Sequence, residues 1–154
     1  MSHQYIRTAW HQFPKVHVLF PLNTLKNASE SLYLKAKGGD VDAALELLND
    51  YVLPHCDLTD VYQKISDKRP ILVPVLAIEN LGKNRIPAVF AEILAARFGL
   101  DVCDDIVQTV KANHTNAGAY ERIVRQPMFD GNVEAGRYYV ILDDPWRWEE
   151  HWLR

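Results

Sequence analysis

Asp143 and Asp144 stand side by side at the carboxyl end of Tyr138-Tyr139-Val140-Ile141-Leu142, an apolar run that reads as a buried strand. Strand side chains alternate, so one carboxylate of such a pair can face a ligand while its neighbour points away. Carboxylates there can accept hydrogen bonds from ribose hydroxyls or hold magnesium through water. The plain alternative is that two aspartates merely end a strand at the surface. A sugar or metal-phosphate site also needs a turn of small residues opening a helix, whose backbone N–H groups hold phosphate. Pro145-Trp146-Arg147-Trp148-Glu149-Glu150-His151-Trp152-Leu153-Arg154 follows instead. The front half of such a site is present and its back half is missing.

The elements that would position this pair begin at Ile71. Ile71-Leu72-Val73-Pro74-Val75-Leu76 is a continuous apolar run, as expected of a parallel strand covered on both faces, with its end near Pro74. Glu79–Arg85 reads as a polar loop. Pro87 sits at a first helical position, and Ile86, Val89, Phe90, Ile93, Leu94 and Phe98 form an apolar stripe that Gly99 closes. Leu100 to Val110 supplies a short strand. Lys111–Arg137 is then a long polar segment, of a length that is usually functional or mobile. Strand, helix, strand, long loop, strand is an α/β arrangement with a largely parallel sheet. Upstream, Asn23 or Thr24 caps a helix to about Lys37, stopped by Gly38-Gly39. Asp40 caps a second helix, with Val41, Ala44, Leu45, Leu48 and Val52 on one face and Pro54 ending it. Asp57–Ser66 reads as a further short helix, and Asp67-Lys68-Arg69-Pro70 as a polar linker.

Whole-chain properties exclude several classes. At 154 residues, 48% apolar and 24% charged, the chain can bury one ordinary core. A net charge of -3 argues against an electrostatic nucleic-acid binder. No apolar run approaches the length of a membrane span, and the polar N-terminus is unlike a signal peptide, which points to the cytoplasm. Cys56 and Cys103 lack metal-ligand spacing and read as two buried thiols, with a disulfide between them as the alternative. The six histidines are scattered; His114 reads as a solvent-exposed loop residue. There is no P-loop, nucleophile elbow, dinucleotide fingerprint or deaminase pairing.

Tyr138–Asp144 resembles the strand and acidic pair of the phosphoribosyltransferase signature. Ile71–Pro74 looks like that family's first core strand, and Glu79-Asn80-Leu81-Gly82-Lys83-Asn84-Arg85-Ile86-Pro87 like its pyrophosphate-side loop. Phe98-Gly99-Leu100 resembles the following helix end, and Lys111–Gly131 the mobile hood over the active site. The resemblance runs from Ile71 to Asp144. It implies a partial, mostly parallel transferase-like sheet with flanking helices. It also implies transfer of a phosphoribosyl group from phosphoribosyl pyrophosphate, in nucleotide metabolism. Asp143 and Asp144 match the ribose- and magnesium-binding pair, and Gly82, Lys83 and Asn84 the pyrophosphate loop. Lys111 or Arg122 could neutralise the departing pyrophosphate from the hood. Such chemistry rests on positioning and electrostatics, with Mg2+ as the cofactor if the site is functional.

The chain departs from that family at Pro145, where the phosphate loop, its helix and the later strands are absent. The resemblance therefore implies a C-terminally truncated transferase, inactive as written. On this reading the chain divides into an N-terminal arm and helical cap (1–69), a transferase-like core (70–144) and a Trp-rich tail (145–154). Loss of the later elements also leaves Val140 and Leu142 with less cover. Trp146, Trp148 and Trp152 suggest an aromatic patch covering the sheet or docking a partner, or residues read out of frame. The small-molecule partner would be the phosphoribosyl substrate, with no membrane or nucleic acid. Homo- or hetero-oligomers could form through the exposed sheet or the tail.

Overall fold

The computed structural model describes residues 16–21, 23–76, 78–79, 82–110, 128–143 and 148–152. Its first half is helical. Helix α1 (Thr24–Ala28) and helix α2 (Glu30–Lys37) replace the single helix expected there. Ser29 separates them, because its extended backbone (φ -159°, ψ 104°) breaks the first helix. Its hydroxyl accepts the Leu32 N–H at 3.4 Å and so caps the second. Asp40 caps α3 (Val41–Glu46) as expected, accepting the Ala43 N–H at 3.0 Å.

Beyond α3 the backbone widens into a π turn over Leu47–Val52, where the Leu53 N–H donates to the Leu48 carbonyl, and then tightens into a 3-10 turn, Leu53–His55. Pro54 carries no N–H and cannot prolong a regular helix. The wide turn suits the side chains. Leu47, Leu48, Val52 and Leu53 are all buried, and their spacing repeats every five residues, as the i→i+5 bonding of a π turn does. The buried face is therefore Ala43, Ala44, Leu47, Leu48 and Val52, whereas Val41 and Leu45, both assigned to it by α-helical spacing, are exposed.

Helix α4 (Leu58–Ile65) starts from Asp57, whose carboxylate accepts the Thr59 and Asp60 N–H groups at 3.0 and 3.2 Å. Replacing Asp57 with alanine removes both acceptors and is expected to cost about 1 kcal/mol. The change should appear as a fall of roughly 2–4 °C in melting temperature. An unchanged melting curve would mean the cap contributes nothing.

A 3-10 turn, Ser66–Lys68, leads into β2 (Ile71–Pro74). The hairpin of β3 (Ile78–Glu79) and β4 (Gly82–Lys83) precedes the longest helix, α5 (Ile86–Phe98). That helix has the expected limits, with proline in its first turn and Gly99 in the left-handed conformation after it. Strands β5 (Val107–Val110) and β6 (Met128–Asp130) pair antiparallel, and β7 (Tyr138–Leu142) and β8 (Trp148–Trp152) follow.

The main sheet has the order β1 (Val16–His17), β8, β7, β2. Within it β2 and β7 run parallel, with isolated parallel bridges from Leu72 to Val102 and from Leu76 to Val107 beside them; β8 pairs antiparallel with both β7 and β1. This overturns the expectation of a mostly parallel transferase-like sheet. The described chain is mainly helical around a small mixed sheet. The physical reason lies in the short connection after Leu142: a parallel neighbour needs a crossover of a dozen or more residues, and a short return gives an antiparallel strand.

Both faces of the β2–β7 pair are covered. Leu72, Val140 and Leu142 enter the main core with Leu47, Leu48, Ile65, Ile86, Phe90 and Leu94. Ile71, Val73 and Tyr139 form a second cluster with Cys103, Ile106 and Ile141. Val140 and Leu142 are buried, so the cover expected to be missing is supplied by the helices. Among the described residues, no helix is long and apolar enough to cross a membrane.

Candidate functional site

The register of the parallel pair decides what lies beside what. Ile71 pairs with Tyr139, so the two strands begin level, and the residues just before them share one edge of the sheet. Lys68, Arg69 and Pro70 arrive there from the 3-10 turn and Arg137 from the turn before β7. Gly99, Leu100 and Asp101 arrive from the end of α5, with the Asp101 carbonyl accepting the Leu72 N–H at 2.8 Å. These seven residues line a cleft of ≈ 330 Å³, within the range typical of small-ligand sites.

Three cations face one carboxylate in this lining, a positive balance in a chain whose overall charge is negative. The carbonyl end of α5 carries about half a negative charge and offsets only part of it. Lys68 Nζ lies 4.9 Å from the centre of the Tyr138 ring, a cation–π distance. Arg137 Nη1 lies 3.5 Å from Glu134 Oε2.

Arg69 has an unusual backbone. It adopts φ 43°, ψ 60°, a left-handed conformation that costs a non-glycine residue roughly 1–2 kcal/mol. Pro70 follows, and a proline disfavours compact conformations in the residue before it. Strain of this kind concentrates at ligand-binding positions.

The residues singled out in the sequence lie elsewhere. Asp143 is exposed at the far, carboxyl end of β7, where the Val75 N–H donates to the Leu142 carbonyl at 2.8 Å. Asp144, Lys111, Arg122 and His114 lie outside the described residues. Gly82 and Lys83 form β4. A Cβ on Gly82 would sit 2.6 Å from the Gly38 carbonyl oxygen, so the close approach that glycine permits is to the Gly38-Gly39 turn. Asn84 is buried, and its Oδ1 accepts the Ile86 N–H at 3.1 Å just ahead of α5. Among the described residues, no three His, Cys, Asp or Glu side chains come together as metal ligands. Burial, and secondarily the neighbouring Asp57 carboxylate, push the Cys56 thiol above its ordinary pKa, the reverse of what an activated nucleophile needs.

Sequence reading passed over the cleft because Lys68-Arg69-Pro70 looks like a linker and Arg137 like the end of a loop. The available signal was the parallel pairing itself. Two apolar strands each preceded by basic residues place those residues together once the strands start level.

A small basic cleft lies at one edge of a helix-covered mixed sheet, and comparison with known proteins gives the chain relatives. The chain is 41% identical over 138 residues to "Protein TraN" of Escherichia coli, covering 90% of this chain and 30% of that protein. It is 36% identical over 116 residues to an uncharacterized protein of Haemophilus influenzae, covering 75% of this chain and 26% of that one. The chain thus spans under a third of the curated relatives it matches. No family model matches it, and no solved structure does.

These similarities correct the family reading. The chain is closer in sequence to TraN and the Haemophilus protein than to any phosphoribosyltransferase. The truncated transferase, phosphoribosyl transfer and the place in nucleotide metabolism fall together, and the tail loses its reading as an out-of-frame remnant of that enzyme. The cytoplasmic placement, drawn from the lack of a span-length apolar run and of a signal-like N-terminus, is overturned by the similarity to TraN as well. The local likeness arose from an apolar strand running into two aspartates, a pattern that many sheets share.

Proposed function

We propose that this chain is a binding module for an oxyanion, a phosphate group above all, held in the cleft between the beginnings of β2 and β7. What supports this is the convergence of Lys68, Arg69 and Arg137 on one ≈ 330 Å³ cleft. Two guanidinium groups offer planar forks of N–H donors that match a phosphate, and the lysine adds a point charge. All three side chains belong to exposed residues. Water therefore screens them, and an inorganic anion alone should bind weakly.

The test is a titration of inorganic phosphate into the whole chain, followed by backbone amide NMR shifts at constant ionic strength. Saturable shifts are expected in residues 68–70, 99–101 and 137. The K68Q/R69Q/R137Q variant should weaken binding by about tenfold or more, since losing a single charge-assisted bond can be worth that much. Equal affinity in the triple variant, or no saturable binding by the unaltered chain, would refute the proposal. Circular dichroism would establish that the variant is folded.

A further inference from the structure

The cleft carries its own competitor. We infer that Glu134 acts as an internal latch, occupying Arg137 when no anion is bound and releasing it when one arrives; this rests on the oxyanion reading above. The contact places Glu134 Oε2 at 3.5 Å from Arg137 Nη1. A carboxylate at that distance partly neutralises the same guanidinium that a phosphate would draw on.

The turn that carries Glu134 is tied down independently of the ion pair. The Glu134 N–H donates to the Tyr139 hydroxyl at 2.9 Å, and Tyr139 is buried in β7 at 3% exposure. The Arg137 N–H donates to the Glu134 carbonyl at 3.3 Å. Two backbone anchors therefore keep the carboxylate within reach of Arg137, while Glu134 itself stays outside the lining of the cleft. A latch of this sort lowers affinity without blocking entry.

The side chains are 44% and 72% exposed for Arg137 and Glu134, so the competition has to be mild. Exposed pairs of this kind correspond to at most about fivefold in an equilibrium constant. The same separation also makes the latch reversible, because an incoming dianion outcompetes a single carboxylate for the guanidinium.

The experiment compares inorganic phosphate binding by the unaltered chain, E134Q, R137Q and E134Q/R137Q at one ionic strength. E134Q should bind about two- to fivefold tighter than the unaltered chain. In the R137Q background, the same Glu134 substitution should bring no gain, because nothing remains for the latch to hold. An E134Q variant that binds no tighter, while the unaltered chain binds, would overturn the latch alone. So would an equal gain in both backgrounds, which would reveal a general field effect. Absence of binding in all four proteins would instead overturn the oxyanion reading, and the latch with it.

Discussion

Replacing Gly82 with alanine is expected to destabilise the protein by roughly 2–5 kcal/mol, combining backbone strain and overpacking. The residue sits at φ 129°, and a Cβ there would meet Gly38 O at 2.6 Å and Gly38 C at 3.1 Å. Both are backbone atoms, so no side chain can swing away to make room. The neighbouring chain is also committed: the Arg85 N–H donates to the Ala36 carbonyl at 3.1 Å, fixing the approach to α5 against the end of α2. Relief would require separating the hairpin from the Gly38-Gly39 turn and losing that bond. Urea denaturation followed by tryptophan fluorescence should show the midpoint falling by about 1–2 M, given an ordinary dependence on denaturant. A shift under about 0.3 M would mean that the two turns part easily and that their contact is incidental.

Phe90→Ala should have an effect of similar size from a different cause. Phe90 is 1% exposed on α5 and belongs to the core cluster shared by the helices and β2–β7. Removing a buried ring loses its transfer free energy and leaves a cavity, together about 3–5 kcal/mol. Because Leu48, Leu72 and Leu142 are also fully buried members of that cluster, the walls come from several elements and cannot all collapse inward. The paired control is Tyr51→Ala, at a position 44% exposed, for which a change within about 0.5 kcal/mol is expected. Equal losses from the two substitutions would contradict this location of the core.

Sequence alone made the local elements legible wherever one physical signal dominated. Proline in the first turn, an apolar stripe and a closing glycine delimited α5. Asp40 and Asp57 announced the starts of two helices, and the unbroken apolar runs gave β2 and β7. What was not legible depended on partners distant in sequence. Val41 and Leu45 share α-helical spacing with Leu48 and Val52, so periodicity alone placed them in the core and left Leu47 out of it, whereas Leu47 is buried and both of them are exposed. The sheet was misread because two apolar strands predict their own burial but not the direction of a third. Trp148–Trp152 offers mixed polar and aromatic residues, and its strand character comes from β7 and β1 on its two sides. The candidate site was hidden for a related reason. Lys68, Arg69 and Arg137 are unremarkable one by one and become a site through the level start of two strands. The aspartate pair drew attention instead because adjacent carboxylates are conspicuous in a linear string.

The placement of β8 between β1 and β7 sets an order of events on the ribosome. Leu47, Leu48, Val52, Leu58, Val61 and Ile65 can find one another as soon as the helices emerge, since their partners are close in sequence. Val16 and His17 pair across the sheet with Glu149 and Trp148. Until that last strand is made, β1 and the open side of β7 keep their peptide groups bonded to water. At equilibrium the long closure costs little, about 0.6 kcal/mol for each doubling of the loop. Its effect is on tempo, because contacts between distant residues slow folding far more than they weaken the folded state. The helices can therefore assemble during synthesis, and the β1–β8–β7 side of the sheet is the part that waits.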